Sequence, residues 1–326
     1  LQTFFINHFS ECRTTDIKPC VMALGFFDGI HLGHRKLIEN VKRISQQSGL
    51  QSAVLTFFPH PKEVLNQVKF NYLISIERKI EILEKIGVDQ LYVVRFDKIF
   101  ASMDPEEFVD KYLIPLEAKQ IVAGFDFTYG SKGKGNIHTL EAHGKGAFRV
   151  SMVPKVEQFG EKVSSTLIRN LLRTGQVKQI VNYLGDYYQS KGKVTGIYTQ
   201  GDFTIAEFKV APYNIMPNNG GYEVVVSFDD RTFHSNCHVY EERDGKTFAE
   251  IEIPQPIRIV EYSEVIIKWI NKRSSKTVKI LESSAIIKPR VFPNKFGIMG
   301  TVLVAFFTRP VMKPCEPSLC WEFENH

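Results

Sequence analysis

"ALGFFDGIHLGHRKLI", residues 23–38, runs from an apolar segment through three closely spaced glycines and two histidines into a helix-like pattern. Gly25 ends the apolar run, and Gly29 and Gly33 let the backbone turn tightly and approach a ligand. Leu37, Ile38, Val41 and Ile44 then share one face, so residues 34–44 read as helix. The free N–H groups of that first turn point back at the glycines, which makes a place for phosphate. His31 and His34, three residues apart on the turn, can donate hydrogen bonds to phosphoryl oxygens and stabilise charge that builds up during transfer. A metal site needs a third and usually a fourth ligand, and no H-E-x-x-H spacing occurs here. Metal ligation and plain structural histidines stay open beside the phosphate reading, because HxGH is a short pattern that needs support from elsewhere.

Working outward, "CVMALGFF" (20–27), "SAVLTFF" (52–58), "QLYVVRF" (90–96) and "AKQIVAGFDF" (118–127) are strand-like. Between them lie amphipathic segments. "SIERKIEILEKIG" (75–87) has Ser75 as cap, Ile76, Ile80 and Leu83 on one side and Gly87 as stop, and "PEEFVDKYLI" (105–114) is also helical. Such alternation implies a parallel sheet with crossover helices, an α/β architecture. Two helices, 165–175 and 176–185, close this half. From there the texture is β-branched and aromatic runs split by Gly, Pro, Asn and Asp, from "KVTGIYT" through "EVIIKWI", "TVKIL" and "TVLVAFF". The expected organisation is therefore residues 1–185 as one domain and 186–326 as a mostly-β, barrel-like or sandwich domain.

The 326 residues suffice for two such cores. No apolar run approaches the roughly 20 residues of a membrane helix, and the opening lacks a signal-peptide pattern, so the chain reads as cytoplasmic with no membrane partner. Five cysteines (Cys12, Cys20, Cys237, Cys315, Cys320) form neither paired CxxC motifs nor an even framework. The net charge of +5 suits a small anionic substrate, and basic runs such as "KWINKRSSKTVK" come without an aromatic-interleaved or helix-turn-helix pattern, which leaves nucleic acid out. Oligomeric state is left open.

Three further segments support a phosphate site. In "EKVSSTLIRNLL" (161–172), Ser164, Ser165 and Thr166 sit at a helix start with Arg169 one turn inside, a set suited to a second group of phosphates, or to an ordinary N-cap. "GFDFTYGSKGKGN" (124–136) places Gly124 and Asp126 at a strand end, where ligands meet open α/β sheets, and its Phe125, Phe127 and Tyr129 can be core or can stack on a flat ring. "LTFFPHPKEVL" (55–65) ends another strand in a stiff turn around His60.

Taken in order, "GFFDGIHLGH" (25–34), "TFFPHP" (56–61), "GFDFTYGSKGKGN" (124–136) and "VSSTLIR" (163–169) resemble the prokaryotic bifunctional riboflavin kinase/FAD synthetase family, over roughly residues 15–185. The resemblance implies a Rossmann-like nucleotidyltransferase domain and the reaction of FMN with ATP to give FAD and pyrophosphate, with Mg²⁺. It implies His31 and His34 on the ATP phosphates, Ser165, Thr166 and Arg169 on the departing pyrophosphate side, and Gly124 and Asp126 along the nucleotide; His31, His34 and Arg169 are the expected catalytic groups, and Gly25, Phe27, Asp28, Gly29, Gly33, Phe127 and Ser164 are further expected binding residues. Which residues would hold metal is left unknown. Phe58 stands where the family often has an acidic residue. A nucleotidyltransferase for another phosphorylated acceptor, and a non-catalytic flavin or nucleotide sensor, are the rival readings.

The second half departs further. The family's kinase module carries a "GFPTANL"-like segment whose Thr and Asn hold Mg-ATP. The nearest stretch here is "GDFTIAEFKV" (201–210), with Ile205 and Glu207 at those positions, and neither supplies the hydroxyl or neutral amide. The expectation is a degenerate β module without riboflavin kinase activity.

Overall fold

The computed structural model of the chain describes residues 1–7, 17–211, 214–241 and 247–274. In chain order its first half runs β1 (Gln2–Ile6), β2 (Cys20–Leu24), α1 (Leu32–Ser48), β3 (Gln51–Phe58), α2 (Pro61–Asn66), α3 (Ile76–Ile86) and β4 (Gln90–Arg95). Next come α4 (Lys98–Ser102), α5 (Pro105–Phe108), β5 (Ala118–Gly124), the short pair β6 (Thr128–Tyr129) and β7 (Gly135–Asn136), α6 (Ile137–His143) and β8 (Arg149–Val153). A small hairpin, β9 (Glu157–Gln158) and β10 (Glu161–Lys162), leads to α7 (Ser165–Thr174) and α8 (Val177–Leu184).

Six strands form one parallel sheet in the order β1-β4-β3-β2-β5-β8. All five residues of β2 are buried, as a central strand covered by helices on both faces requires. Strand order reverses between β2 and β5: β2 is followed by β3 on one side, and β5 lies on the other. Their carboxyl ends therefore frame the crevice in which open α/β sheets bind ligands. The architecture is Rossmann-like.

Beyond Gly185, which closes α8 in the left-handed conformation, six antiparallel strands form a closed barrel: β11 (Gln189–Gln200), β12 (Phe203–Val210), β13 (Gly220–Phe228), β14 (Arg231–Glu241), β15 (Thr247–Ile253) and β16 (Glu264–Lys272). Closure pairs every edge, which a sandwich would leave open. Alternation supplies the filling: Phe208, Val224, Val226, Ile251 and Trp269 are buried in a core that continues into Ile168 and Ile180 of α7 and α8. Leu1–Ser283 accordingly forms one compact unit.

Several boundaries differ from expectation. The strand read over 20–27 stops at Leu24, because Phe27 and Ile30 adopt positive φ and Gly29 turns the chain. The helix read over 34–44 extends over Leu32–Ser48, since His31 rather than a later residue caps it. The segment 105–114 is α-helical only to Phe108 and then winds as one π turn over Val109–Leu113. β1 and β8, the two sheet edges, were not expected; "QTFFI" and "RVSMV" are short and half exposed, so they lack the apolar run of central strands. The strands expected at 277–281 and 301–307, with Cys12, Cys315 and Cys320, lie outside the described residues. Cys20 and Cys237 are buried free thiols.

Candidate active site

The turn after β2 is held in a conformation that its own residues disfavour. Phe27 (φ 53°) and Ile30 (φ 42°) sit in the left-handed region although both carry side chains, and both are fully buried. Such backbone costs of the order of 1–3 kcal/mol per residue and persists only where the surroundings over-determine it. Gly29 (φ 86°) adopts this region without a side-chain penalty, and a Cβ there would lie 3.0 Å from Leu73 Cδ1.

The surroundings are specific. The Asp28 carboxylate, 3% exposed, accepts the Leu73 N–H at 2.9 Å and the Ile74 N–H at 3.4 Å through Oδ1, and its Oδ2 is paired with the Arg169 guanidinium. Its carbonyl accepts the Ser165 hydroxyl at 2.8 Å. Burial pushes the Asp28 carboxyl upward, against the opposing pull of Arg169 and Lys79. The turn and the start of α7, 137 residues apart, are thus one structure.

His31 caps α1. Its Nδ1 accepts the His34 N–H at 3.3 Å, so its proton resides on Nε2. The two imidazoles stack with centroids 3.7 Å apart, and Phe27 meets His34 edge-on at 5.2 Å. Burial lowers His31 to about 4 and His34 well below its ordinary value. Both are therefore neutral at pH 7, and any donor they present is an uncharged N–H. Gly33 leaves room for this contact, since a Cβ there would lie 3.2 Å from the His31 ring. His34 Nδ1 is buried with no hydrogen-bond partner among the described residues.

At the ends of β2 and β5 opens a cleft of about 570 Å³. Gly25, Phe27 and His34 line one end, and Gly124, Asp126 and Phe127 another. Its walls are aromatic, with Phe57, Phe96, Phe100 and Tyr129 among them, and His60 at the rim. His60 stacks on Phe70 at 3.6 Å, and burial lowers it to about 4.

Gly29, His31 and Gly33 shape the turn without lining this cleft, and the other expected site residues differ in where they point. Gly25, Phe27, His34, Gly124, Asp126 and Phe127 face the cleft. Others are engaged in holding it. The Asp28 carboxylate is enclosed and partnered by Leu73, Ile74 and Arg169. Ser164 caps α7 by accepting the Leu167 N–H, and the Ser165 hydroxyl donates to the backbone carbonyl of Asp28 in the turn. Arg169 Nε and Nη2 donate to the Asn71 carbonyl, and its guanidinium carbon lies 4.7 Å from the centre of the Phe70 ring. Thr166 is exposed on the first turn of α7. Asp126 pairs with Lys162 at 2.5 Å. Among the described residues no three His, Cys, Asp or Glu side chains gather as a metal site, and the Phe58 ring packs 5.8 Å from Tyr72.

Residues 13–167 match a family model described as FAD synthetase. A bifunctional riboflavin kinase/FMN adenylyltransferase of Listeria monocytogenes is 41% identical over 82% of this chain and 88% of its own length; one of Bacillus subtilis is 34% identical over 85% and 91%. The chain belongs to this family. A Listeria monocytogenes FAD synthetase is 29% identical over 64% of this chain and 83% of its own. A solved structure described as a macrolide-efflux protein from Streptococcus pneumoniae superposes with a TM-score of 0.75, at 28% identity, over 85% of this chain and 95% of that one. Among the described residues no helix is long and apolar enough to cross a membrane.

For a member of the riboflavin kinase/FMN adenylyltransferase family, one residue near the turn escaped the sequence reading. Lys79 of α3 is 4% exposed and donates to the Phe26 carbonyl. It sits among Ile76, Ile80 and Leu83 and looks, in sequence, like one more surface lysine. Only its placement under β2 distinguishes it.

Proposed function

We propose that the protein transfers the AMP moiety of ATP to FMN, giving FAD and pyrophosphate, and that residues 1–185 carry this reaction. One observation carries the reading: the HxGH turn and the start of α7 are joined at 2.8 Å beside an aromatic cleft at the point where strand order reverses. A triphosphate suits the exposed N–H groups of helix starts. A flat flavin ring suits walls made of Phe57, Phe100, Phe127 and Tyr129.

In this reading an FMN phosphate oxygen attacks the α-phosphorus of ATP, the bond from that phosphorus to the β-phosphoryl oxygen breaks, and pyrophosphate leaves. No covalent enzyme intermediate is needed. His31 Nε2–H and the neutral His34 ring act as preorganised donors to phosphoryl oxygens, and their burial in a low-dielectric turn makes each worth more than in water. Gly25 and Gly124 let the nucleotide approach the backbone, while Arg169, Asp28 and Ser165 keep the turn and α7 in register. The described residues do not by themselves make a Mg²⁺ cage. Mg²⁺ belongs to this reading as the counter-ion of the triphosphate.

We further propose that the barrel of β11–β16 has lost riboflavin kinase activity. Ile205, 3% exposed, is opposite Glu252 in the ladder, and Glu207 is opposite Glu250, so β12 carries a buried apolar residue and a carboxylate in register with another carboxylate at these positions. Neither offers the hydroxyl or amide that a Mg-ATP site of this kind uses. The relatives' names carry both activities, which makes the second assay below as important as the first.

Incubation with FMN, ATP and Mg²⁺ should yield FAD and pyrophosphate; absence of FAD overturns the first claim. Incubation with riboflavin, ATP and Mg²⁺ should yield no FMN, and robust FMN formation overturns the second.

A further inference from the structure

The turn between β2 and α1 is gripped from beneath by an ammonium that folding alone does not call for. Lys79 lies 53 positions from Phe26 in sequence and is 4% exposed. Its Nζ donates to the Phe26 carbonyl at 2.8 Å and to the Thr56 hydroxyl at 3.1 Å, and it lies 4.9 Å from the centre of the Phe26 ring. The Thr56 hydroxyl donates to the same carbonyl at 2.9 Å. A buried ammonium is costly unless paired, and an apolar residue here would complete the face made by Ile76, Ile80 and Leu83. Both acceptors of Lys79 instead lie at the carboxyl-end region of β2 and β3 that frames the cleft.

The next residue gives the contact its meaning. Phe27 is fully buried at φ 53° and directs its ring edge at His34. On its far side Asp28 is fixed by Leu73, Ile74 and Arg169. The strained residue is therefore clamped on both sides, by Lys79 through the preceding carbonyl and by Asp28.

We propose that Lys79 is a positioning residue for adenylyl transfer: its ammonium clamps the Phe26 carbonyl, and through Phe27 it sets the place of His34. The inference rests on the AMP-transfer reading of this turn. Lys79 faces the Asp28 carboxylate, which favours its charge, and lies within electrostatic reach of His34 on α1 and His60 at the start of α2, both neutral. Arg169 approaches Asp28 from α7, and β3 contributes the uncharged Thr56. Burial lowers Lys79 to about 8, so it is charged at neutral pH and loses its proton as pH rises through about 8. That loss replaces charge-assisted bonds with weaker neutral ones. Stability moves the opposite way: between about 8 and the ordinary lysine value the unfolded chain binds the extra proton, so this group's contribution to folding rises with pH.

The test measures FAD formation from FMN, ATP and Mg²⁺ by the full chain across pH 6.5–9.5, alongside the thermal midpoint, for wild type, Lys79→Met and Lys79→Arg. Wild-type kcat should fall above about pH 8 without a parallel fall in thermal midpoint. Lys79→Met should lose roughly 10- to 100-fold in kcat at pH 7 with KM for both substrates little changed, and its profile should lack the alkaline limb. Lys79→Arg, charged throughout, should recover part of kcat and show no limb near pH 8. Folded Lys79→Met with unchanged kcat, or with the limb retained, overturns the inference alone. If that variant does not fold, a wild type without the limb or a Lys79→Arg protein that keeps it does the same. A wild type that forms no FAD at any pH overturns the AMP-transfer reading and this inference with it.

Discussion

The α/β half and the barrel handle polar side chains in opposite ways. Around the first half's turn, Asp28, His31, Thr56 and Lys79 are all buried, whereas Ser190 is the barrel's single buried polar or charged side chain among the described residues. Ser190 has a packing role, accepting the Trp269 indole N–H at 3.0 Å. A barrel closes its hydrogen bonds by itself, so polar groups can stay outside. A ligand crevice at strand ends needs polar groups inside, held by others, and the strained Phe27 shows what that arrangement sustains. The difference is one of burial: the first half encloses polar groups around its turn, and the barrel keeps nearly all of them outside.

The strongest way to break this contrast is to remove one imidazole. His31→Ala or His34→Ala should lower kcat for FAD formation by about 100- to 1,000-fold in a protein that still folds, measured by initial rates and circular dichroism. A fall of only a few fold would return the histidines to a structural role. Asp28→Ala comes next: it leaves two N–H groups and Arg169 without their carboxylate and should cost about 3 kcal/mol in urea unfolding, with kcat reduced as the turn relaxes.

Acid should separate the halves as well. His31 titrates near 4 in the folded protein and near its ordinary value of 6.5 when unfolded. Between those values the unfolded chain binds more protons, so stability present above pH 6.5 is lost as pH falls toward 4. The wild-type slope of unfolding free energy over this range should be shallower in His31→Ala. The barrel supplies the smallest effect and the sharpest control. Trp269→Phe loses the bond to Ser190 and should cost about 1–2 kcal/mol in stability while the folded protein keeps its FAD-forming kcat. A large loss of kcat there would show that the barrel takes part in adenylyl transfer.

Much of the first half was legible because its signals are local. Ser75 and Gly87 bound α3 as their capping chemistry predicts, and β3 and β4, of eight and six residues, follow the strand-like runs at 52–58 and 90–96. The glycines of residues 25–34 also announced a tight turn between β2 and α1, because backbone freedom is a property of residue type. Edge strands β1 and β8 were missed, since half-exposed strands carry no continuous apolar run.

The sequence by itself determined the alternation of strands and helices, the change of texture near residue 185 and the membership of one phosphate-suited turn in an α/β sheet. Tertiary structure alone decided which of the named groups face the cleft and which brace it. Asp28, Ser165 and Arg169 look like ligand contacts in sequence, but the approach of α7 to the turn uses their polar atoms on one another. Lys79 looks like surface and becomes the buried support of the Phe26 carbonyl. The physical reason is that a side chain's partner is set by what packs beside it, and these partners lie 53 to 141 positions away along the chain.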